Sequence, residues 1–141
     1  MKLVRDTKTL KQKAISSLKT SMSAFNSYDD DGRVTTVLLH AQHACEMLLK
    51  AVLAQNKEPI FDKKTGKSIG FERCLGVCAA KYGLSEQEAG VMRAIDRLRD
   101  AAQHWFVFVA EDILYLNIRA LITAFDEYMK RRLDDDLSVH I

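Results

Sequence analysis

The chain has 141 residues, 48% hydrophobic and 28% charged, with 21 lysines and arginines against 19 acids. That length holds one domain with a buried core, and a formal net charge of +2 is too small to indicate nucleic-acid binding by itself. One proline and six glycines exclude a many-turned β fold and favour long helices.

The opening Met1-Lys2-Leu3-Val4-Arg5-Asp6 has no apolar signal core, and no apolar run nears the roughly 20 residues of a membrane helix. A cytoplasmic chain with no membrane partner is expected. Cys45, Cys74 and Cys78 all lie in helical patterns. They are odd in number and lack paired Cys-x-x-Cys spacing, so they read as reduced core thiols and not as zinc ligands or disulfides.

In the first helix, Leu10 to Phe25, the apolar residues Leu10, Ala14, Ile15, Leu18, Met22 and Phe25 recur at helical steps. Lys2, Lys8, Lys11, Lys13 and Lys19 make this end basic, as a solvated face or a phosphate-contacting edge. The turn and capping residues from Asn26 to Gly32 mark a loop. The second helix spans Arg33 to Gln55, with Val37, Leu38, Ala41, Ala44, Cys45, Leu48, Leu49 and Val52 on its apolar face. His40, His43, Glu46, Met47 and Lys50 fall on the other side, at about 100° per residue. His40-x-x-His43-x-x-Glu46 has the look of metal ligands, but three ligands with no fitting fourth do not complete a structural site. A polar stripe facing solvent or an interface is expected instead.

Residues 56–70 form an irregular insert. A short hairpin fits, with Gly66 at a bulged turn, and Lys57, Lys63, Lys64 and Lys67 charge it positively. A soluble loop is one reading; a basic finger near RNA is the other. The short third helix runs from Phe71 to Tyr82, and Gly83 ends it. Ser85 and Glu88 make a capping box for the fourth helix, which runs to about His104. Its apolar side holds Val91, Ala94, Ile95, Leu98, Ala101, Ala102 and Trp105. Arg93, Arg97, Asp100 and His104 form the opposite stripe, and Arg99 lies on the border near Met92. Residues 105–109 read as a buried connection. The last helix spans Glu111 to Leu133 and ends in Lys130-Arg131-Arg132, charges suited to a helix C-terminus. The fold expected is all-α, an up-and-down bundle of four long helices and one short one. It forms a single domain over residues 1–133. Residues 134–141, with Asp134-Asp135-Asp136, are expected to be a frayed acidic tail, or the point where a longer parent chain continues.

The chain has no phosphate-binding glycine loop and no serine elbow, and Cys45 lies on an apolar face where no base or positive field would activate it. His104 is the best candidate for chemistry, because histidine as a residue type gives and takes protons near neutrality. Asp100, one turn earlier, can orient its ring, and an arginine nearby can clamp a phosphate and its developing charge. Arginine and histidine suffice for attack of an RNA 2′-hydroxyl on its adjacent phosphate. No metal or cofactor is called for. The competing reading is an exposed ion-pair ladder without chemistry.

Arg99-Asp100-x-x-x-His104 resembles the signature of the HEPN superfamily, an arginine and a polar residue followed by a histidine four to six positions after the arginine. Ala44-Cys45-Glu46-Met47-Leu48-Leu49-Lys50-Ala51 resembles that family's second helix, with an acid ahead of Leu-Lys-Ala. The run from Ile69 to Leu75, and that from Arg99 to Trp105, look like one bacterial branch of the superfamily. The resemblance covers about Val34 to Met129. It implies a helical domain, often a homodimer, in which paired Arg–His motifs cut RNA without metal in many members. Other members are non-catalytic partners or binding modules.

Carried onto this chain, the resemblance makes His104 the proton-transfer residue and Arg99 the phosphate clamp, with Asp100 and Glu46 as orienters. Arg97, His43, Lys50 and Arg93 are the expected substrate-binding neighbours. Arg97 also fits the spacing: on an ideal helix it lies about 20° from His104, whereas Arg99 lies about 140° away. A bend before His104, a dimer mate supplying Arg99, or Arg97 as the working arginine would each resolve the difference. The function implied is a metal-independent endoribonuclease acting as a toxin or phage-defence effector, with an antitoxin among its partners. The alternatives are a non-catalytic, dimerising module that binds RNA, a nucleotide or a protein, and a plain structural bundle of a larger chain.

Overall fold

A computed structural model describes residues 1–28, 32–104 and 109–141. Its elements are α1 (Arg5–Phe25), α2 (Arg33–Gln55), α3 (Phe71–Lys81), α4 (Glu86–His104) and α5 (Glu111–Leu133), followed by a 3-10 turn at Leu137–Val139. The fold is an all-α helical bundle. The expectations for residues 29–31 and 105–108, part of a loop and most of a buried connection, lie outside the described residues; Val109, which follows, is buried.

The bundle is organised around α2, which packs against α1, α3, α4 and α5. Val37, Leu38, Ala41, Ala44, Cys45, Leu48, Leu49 and Val52 are fully buried, as their spacing predicts. Met47 and Lys50, expected on the polar side, are buried as well, which corrects that expectation. With helices on several sides, α2 has little outer face left, and a helix apolar nearly all round is what such a position demands. Against the expectation that no stretch approaches a membrane helix, α2 has the length and apolar composition of one; burial accounts for it, since 72% of its most apolar 18-residue window is covered inside the bundle.

α1 begins at Arg5, five residues before its apolar periodicity starts. Hydrogen bonds hold this first turn on α2. The Val4 N–H donates to Gln55 Oε1 at 3.0 Å, and the buried Thr7 hydroxyl donates to the Ala51 carbonyl at 3.2 Å. Further along, the buried Ser21 hydroxyl donates to the Val37 carbonyl at 2.7 Å. Polar residues therefore lie in the α1–α2 seam with their bonds made, which buried hydroxyls require. At the far end Arg33 joins three helices. Its Nε and Nη2 donate to the Phe25 carbonyl at 2.9 and 2.6 Å, its fork meets Glu111 at 3.0 and 2.8 Å, and its guanidinium lies 4.8 Å from the centre of the Phe25 ring.

The insert is the expected hairpin. Phe61 and Ser68 form an antiparallel bridge, the Ile69 N–H donates to the Ile60 carbonyl at 3.0 Å, and Gly66 turns the chain at φ +70°. Gly83, at φ +69°, leads from α3 to α4. The capping box is present in both directions: the Ser85 N–H donates to Glu88 Oε1 and the Glu88 N–H donates to Ser85 Oγ, each at 3.0 Å. Glu88 also receives Arg131 of α5, whose Nη1 lies 2.9 Å from Oε2.

The acidic end departs from the expected frayed tail. Leu137 is buried, and its N–H donates to Asp126 Oδ1 at 2.9 Å. Asp135 pairs with Lys11 at 2.7 Å and with His140 at 2.8 Å. The charges that suggested solvent attach this end to α1 and α5.

Candidate functional site

The C-terminal half of α4 presents the residues singled out for chemistry. Arg93, Arg97, Asp100 and His104 are exposed, while Met92 and Ile95 point into the core. Helical spacing alone sets that division. Arg99 lies between the two faces, its side chain 25% exposed.

Arg99 is held on several sides. Its Nη2 donates to Asp100 Oδ1 at 2.8 Å and lies 3.5 Å from Asp96 Oδ1, and its Nη1 donates to Gln103 Oε1 at 3.3 Å. Its Nε is buried and is the one such side-chain atom without a hydrogen-bond partner among the described residues. Asp100 is therefore turned to the arginine before it and not to the histidine one turn later. Among the described residues, neither Arg97 nor His104 has an ion-pair partner, and Arg93 pairs with Glu72 of α3 at 3.2 Å.

Asp96 did not stand out in the sequence. Its signal was an acid three positions before an arginine, the spacing that brings helical neighbours together. Burial raises its carboxyl pKa above the usual aspartate value; the Arg99 charge opposes that, while Asp100 and Glu72 add to it. The Cys45 thiol is likewise pushed up, first by burial and then by the Asp96 charge, so Asp96 lies where α4 meets α2.

Glu46 was expected to orient the arginine. Its carboxylate instead takes Lys50, one turn along α2, at 2.8 Å. The Lys50 side chain is 5% exposed and that of Glu46 23%, so the lysine is covered by a partner at the edge of the surface where α2 meets α3. The neighbouring Cys74 thiol is pushed up to about 12, chiefly by burial, with Lys50 lowering it and Glu46 raising it. Lys50 is therefore a buried partner of Glu46 and is not free to meet a ligand. His43 stays exposed. Among the described residues, no group of three side chains is arranged to hold a metal ion.

The structure thus brings together Arg99, Asp100 and Asp96, with His104 exposed at the same helix end, and keeps Glu46 and Lys50 to themselves. Such an end can hold a phosphate near a fixed guanidinium and exchange protons through an exposed imidazole. Comparison of the chain with protein-family models, with curated proteins and with solved structures gives no match.

Proposed function

We propose that the chain is a HEPN-type endoribonuclease whose α4 C-terminal end cuts RNA without a metal, working in the cytoplasm as a toxin or defence effector. The observation that carries this reading is the contrast between an arginine fixed by neighbours and an exposed histidine five residues later. In the reaction, the RNA 2′-oxygen bonds to the adjacent phosphorus and the bond to the 5′-oxygen breaks. One histidine takes the 2′-hydroxyl proton and one protonates the departing oxygen, leaving a 2′,3′-cyclic phosphate and a 5′-hydroxyl. Arg99 faces the charge that grows on the phosphate, and Asp100 and Asp96 position Arg99 in the role first assigned to Glu46. The separation of about 140° between Arg99 and His104 on one helix fits a homodimer in which each cleft takes them from different copies.

A second reading has its own observation. Two carboxylates already neutralise Arg99, which suits a non-catalytic module that dimerises and binds RNA, a nucleotide or a protein. The deciding experiment is cleavage of a broad set of single-stranded RNAs in EDTA, with end analysis for the cyclic phosphate. Wild type that cuts nothing, or His104→Ala that cuts as well as wild type, overturns the endoribonuclease reading.

A further inference from the structure

We propose that the hairpin over residues 59–69 is a docking site for single-stranded nucleic acid, separate from the α4 end, in which Phe61 stacks a base and Lys63, Lys64 and Arg73 hold the phosphates on either side. That the strand is RNA rests on the endoribonuclease reading; that the hairpin binds a single strand does not.

The geometry begins with alternation. Ile60 packs against the core and Ile69 is 6% exposed, so the hairpin is anchored by its inner side chains. Phe61 points the other way and is 58% exposed. This exposure is built in. The Phe61–Ser68 bridge, the 2.7 Å bond from the Asp62 N–H to the Lys67 carbonyl, and the turn at Gly66 all keep the ring outside. More than half of the ring surface is thus open to solvent.

The charges around it are mostly positive, Asp62 being the one acid in the same hollow. Lys63, Lys64, Lys67 and Arg73 are exposed, and among the described residues none of them has an ion-pair partner. The nearby acids are otherwise engaged. Glu58 accepts from Lys81 at 3.1 Å and from the Tyr82 hydroxyl at 2.7 Å. Asp62 caps the turn, accepting the Lys64 N–H at 2.7 Å, and Glu72 holds Arg93. Phe61, Lys63, Lys64 and Arg73, with Pro59 and Asp62, line a surface hollow of roughly 520 Å³.

An open aromatic face ringed by cations is how proteins grip single strands: unstacked bases lie on the ring and backbone phosphates meet the charges. A duplex keeps its bases stacked and offers nothing for Phe61. Arg73 also adjoins Glu72, which holds Arg93, the first residue of the exposed stripe that ends at His104, about 16 Å further along α4.

The test is fluorescence anisotropy at low salt with a labelled 2′-O-methyl oligouridine of roughly ten nucleotides, which lacks the attacking hydroxyl and cannot be cut. Phe61→Ala should weaken binding about tenfold, and Phe61→Trp should retain it. The combined Lys63→Ala, Lys64→Ala and Arg73→Ala variant should weaken binding and lower the slope of log affinity against log salt by about 2, the value for three phosphate contacts on a single strand. Lys8→Ala with Lys13→Ala and Lys19→Ala, an equal loss of charge on α1, should change binding little. The proposal is overturned if Phe61→Ala binds like wild type, if the α1 variant loses as much as the hairpin variant, if a duplex binds as tightly, or if only anionic phosphatidylserine vesicles bind in a hairpin-dependent way. Hairpin-dependent binding without any RNA cutting ends the catalytic reading and leaves this one standing; cutting by wild type with binding unchanged in the hairpin variants does the reverse.

Discussion

Asp100 Oδ1 accepts a 2.8 Å hydrogen bond from Nη2 of Arg99, the residue just before it, and His104, one turn later, has no carboxylate partner among the described residues. The acid in the Arg-Asp-x-x-x-His pattern thus acts on the arginine. Under the proposed function, His104→Ala removes RNA cleavage by about a hundredfold or more, the size expected for loss of a proton-transfer group. Arg99→Ala does the same through loss of the charge clamp. Asp100→Asn lowers the rate by about tenfold without moving the pH–rate profile, since it loosens Arg99 and leaves the histidine alone. A profile shifted by Asp100→Asn would return Asp100 to the histidine. The checks are initial rates across pH in EDTA, with helical circular dichroism as the control for folding.

Arg33 is the residue whose loss should unsettle the end of the bundle formed by α1, α2 and α5. Arg33→Ala removes the fork to Glu111 and the bonds to the Phe25 carbonyl, and should cost about 2 kcal/mol in urea unfolding. The cost stays moderate because the Glu111 side chain is 65% exposed and regains water. Arg33→Lys should recover only part of it, since an ammonium cannot meet both oxygens and the carbonyl at once.

Glu88 links stability to acidity. Burial pushes its carboxyl up, but the Arg131 guanidinium and the bonds from Ser85 outweigh that and hold it below the usual glutamate value. A group with a lowered value in the folded state stabilises fully above its unfolded value, about 4.3, and the contribution is lost as pH falls through the folded value. Glu88→Gln should therefore be less stable than wild type at pH 7, and the gap should close as both are unfolded in progressively more acid buffer. Ser85→Ala should cost about 1 kcal/mol for the lost cap, with little dependence on pH above that window.

The thiols should be silent in the folded protein. Cys45, Cys74 and Cys78 are fully buried, and burial raises all three thiols, Cys78 to about 11. An aromatic disulfide reagent at pH 8 should titrate no thiol in native buffer within the time it needs to titrate three in denaturant. Rapid reaction of one thiol in native buffer would place that cysteine outside the core.

Much of this architecture is legible in the sequence. The helical period of Val37 to Val52, the Ser85–Glu88 box and the turn at Gly66 are local signals, and local signals determine local structure. The exposed stripe Arg93, Arg97, Asp100 and His104 followed from helix geometry alone. Less legible was the N-terminal extension of α1, because bonds from Val4 N–H to Gln55 and from the Thr7 hydroxyl to the Ala51 carbonyl hold it on α2, not apolar spacing. Lys50 was misread for a related reason: a lysine on the polar side of a helix is ordinarily solvated, and its burial became visible only with α3 packed over it and Glu46 beside it. The acidic end is held by an equally distant contact, since Asp135 meets Lys11, 124 positions earlier in the chain.

Read alone, the residues specify an all-α chain, the place of each helix apart from the start of α1, and a gathering of charge and histidine at the end of α4. They also single out Arg99, Asp100 and His104. How those charges pair came from packing: Arg99 with Asp96 and Asp100, Glu46 with Lys50, Arg93 with Glu72, and an unpaired His104 among the described residues. The reason is physical. Periodicity fixes which face of a helix a residue occupies. A carboxylate takes whichever cation packing brings within about 4 Å, and that choice belongs to the assembled bundle.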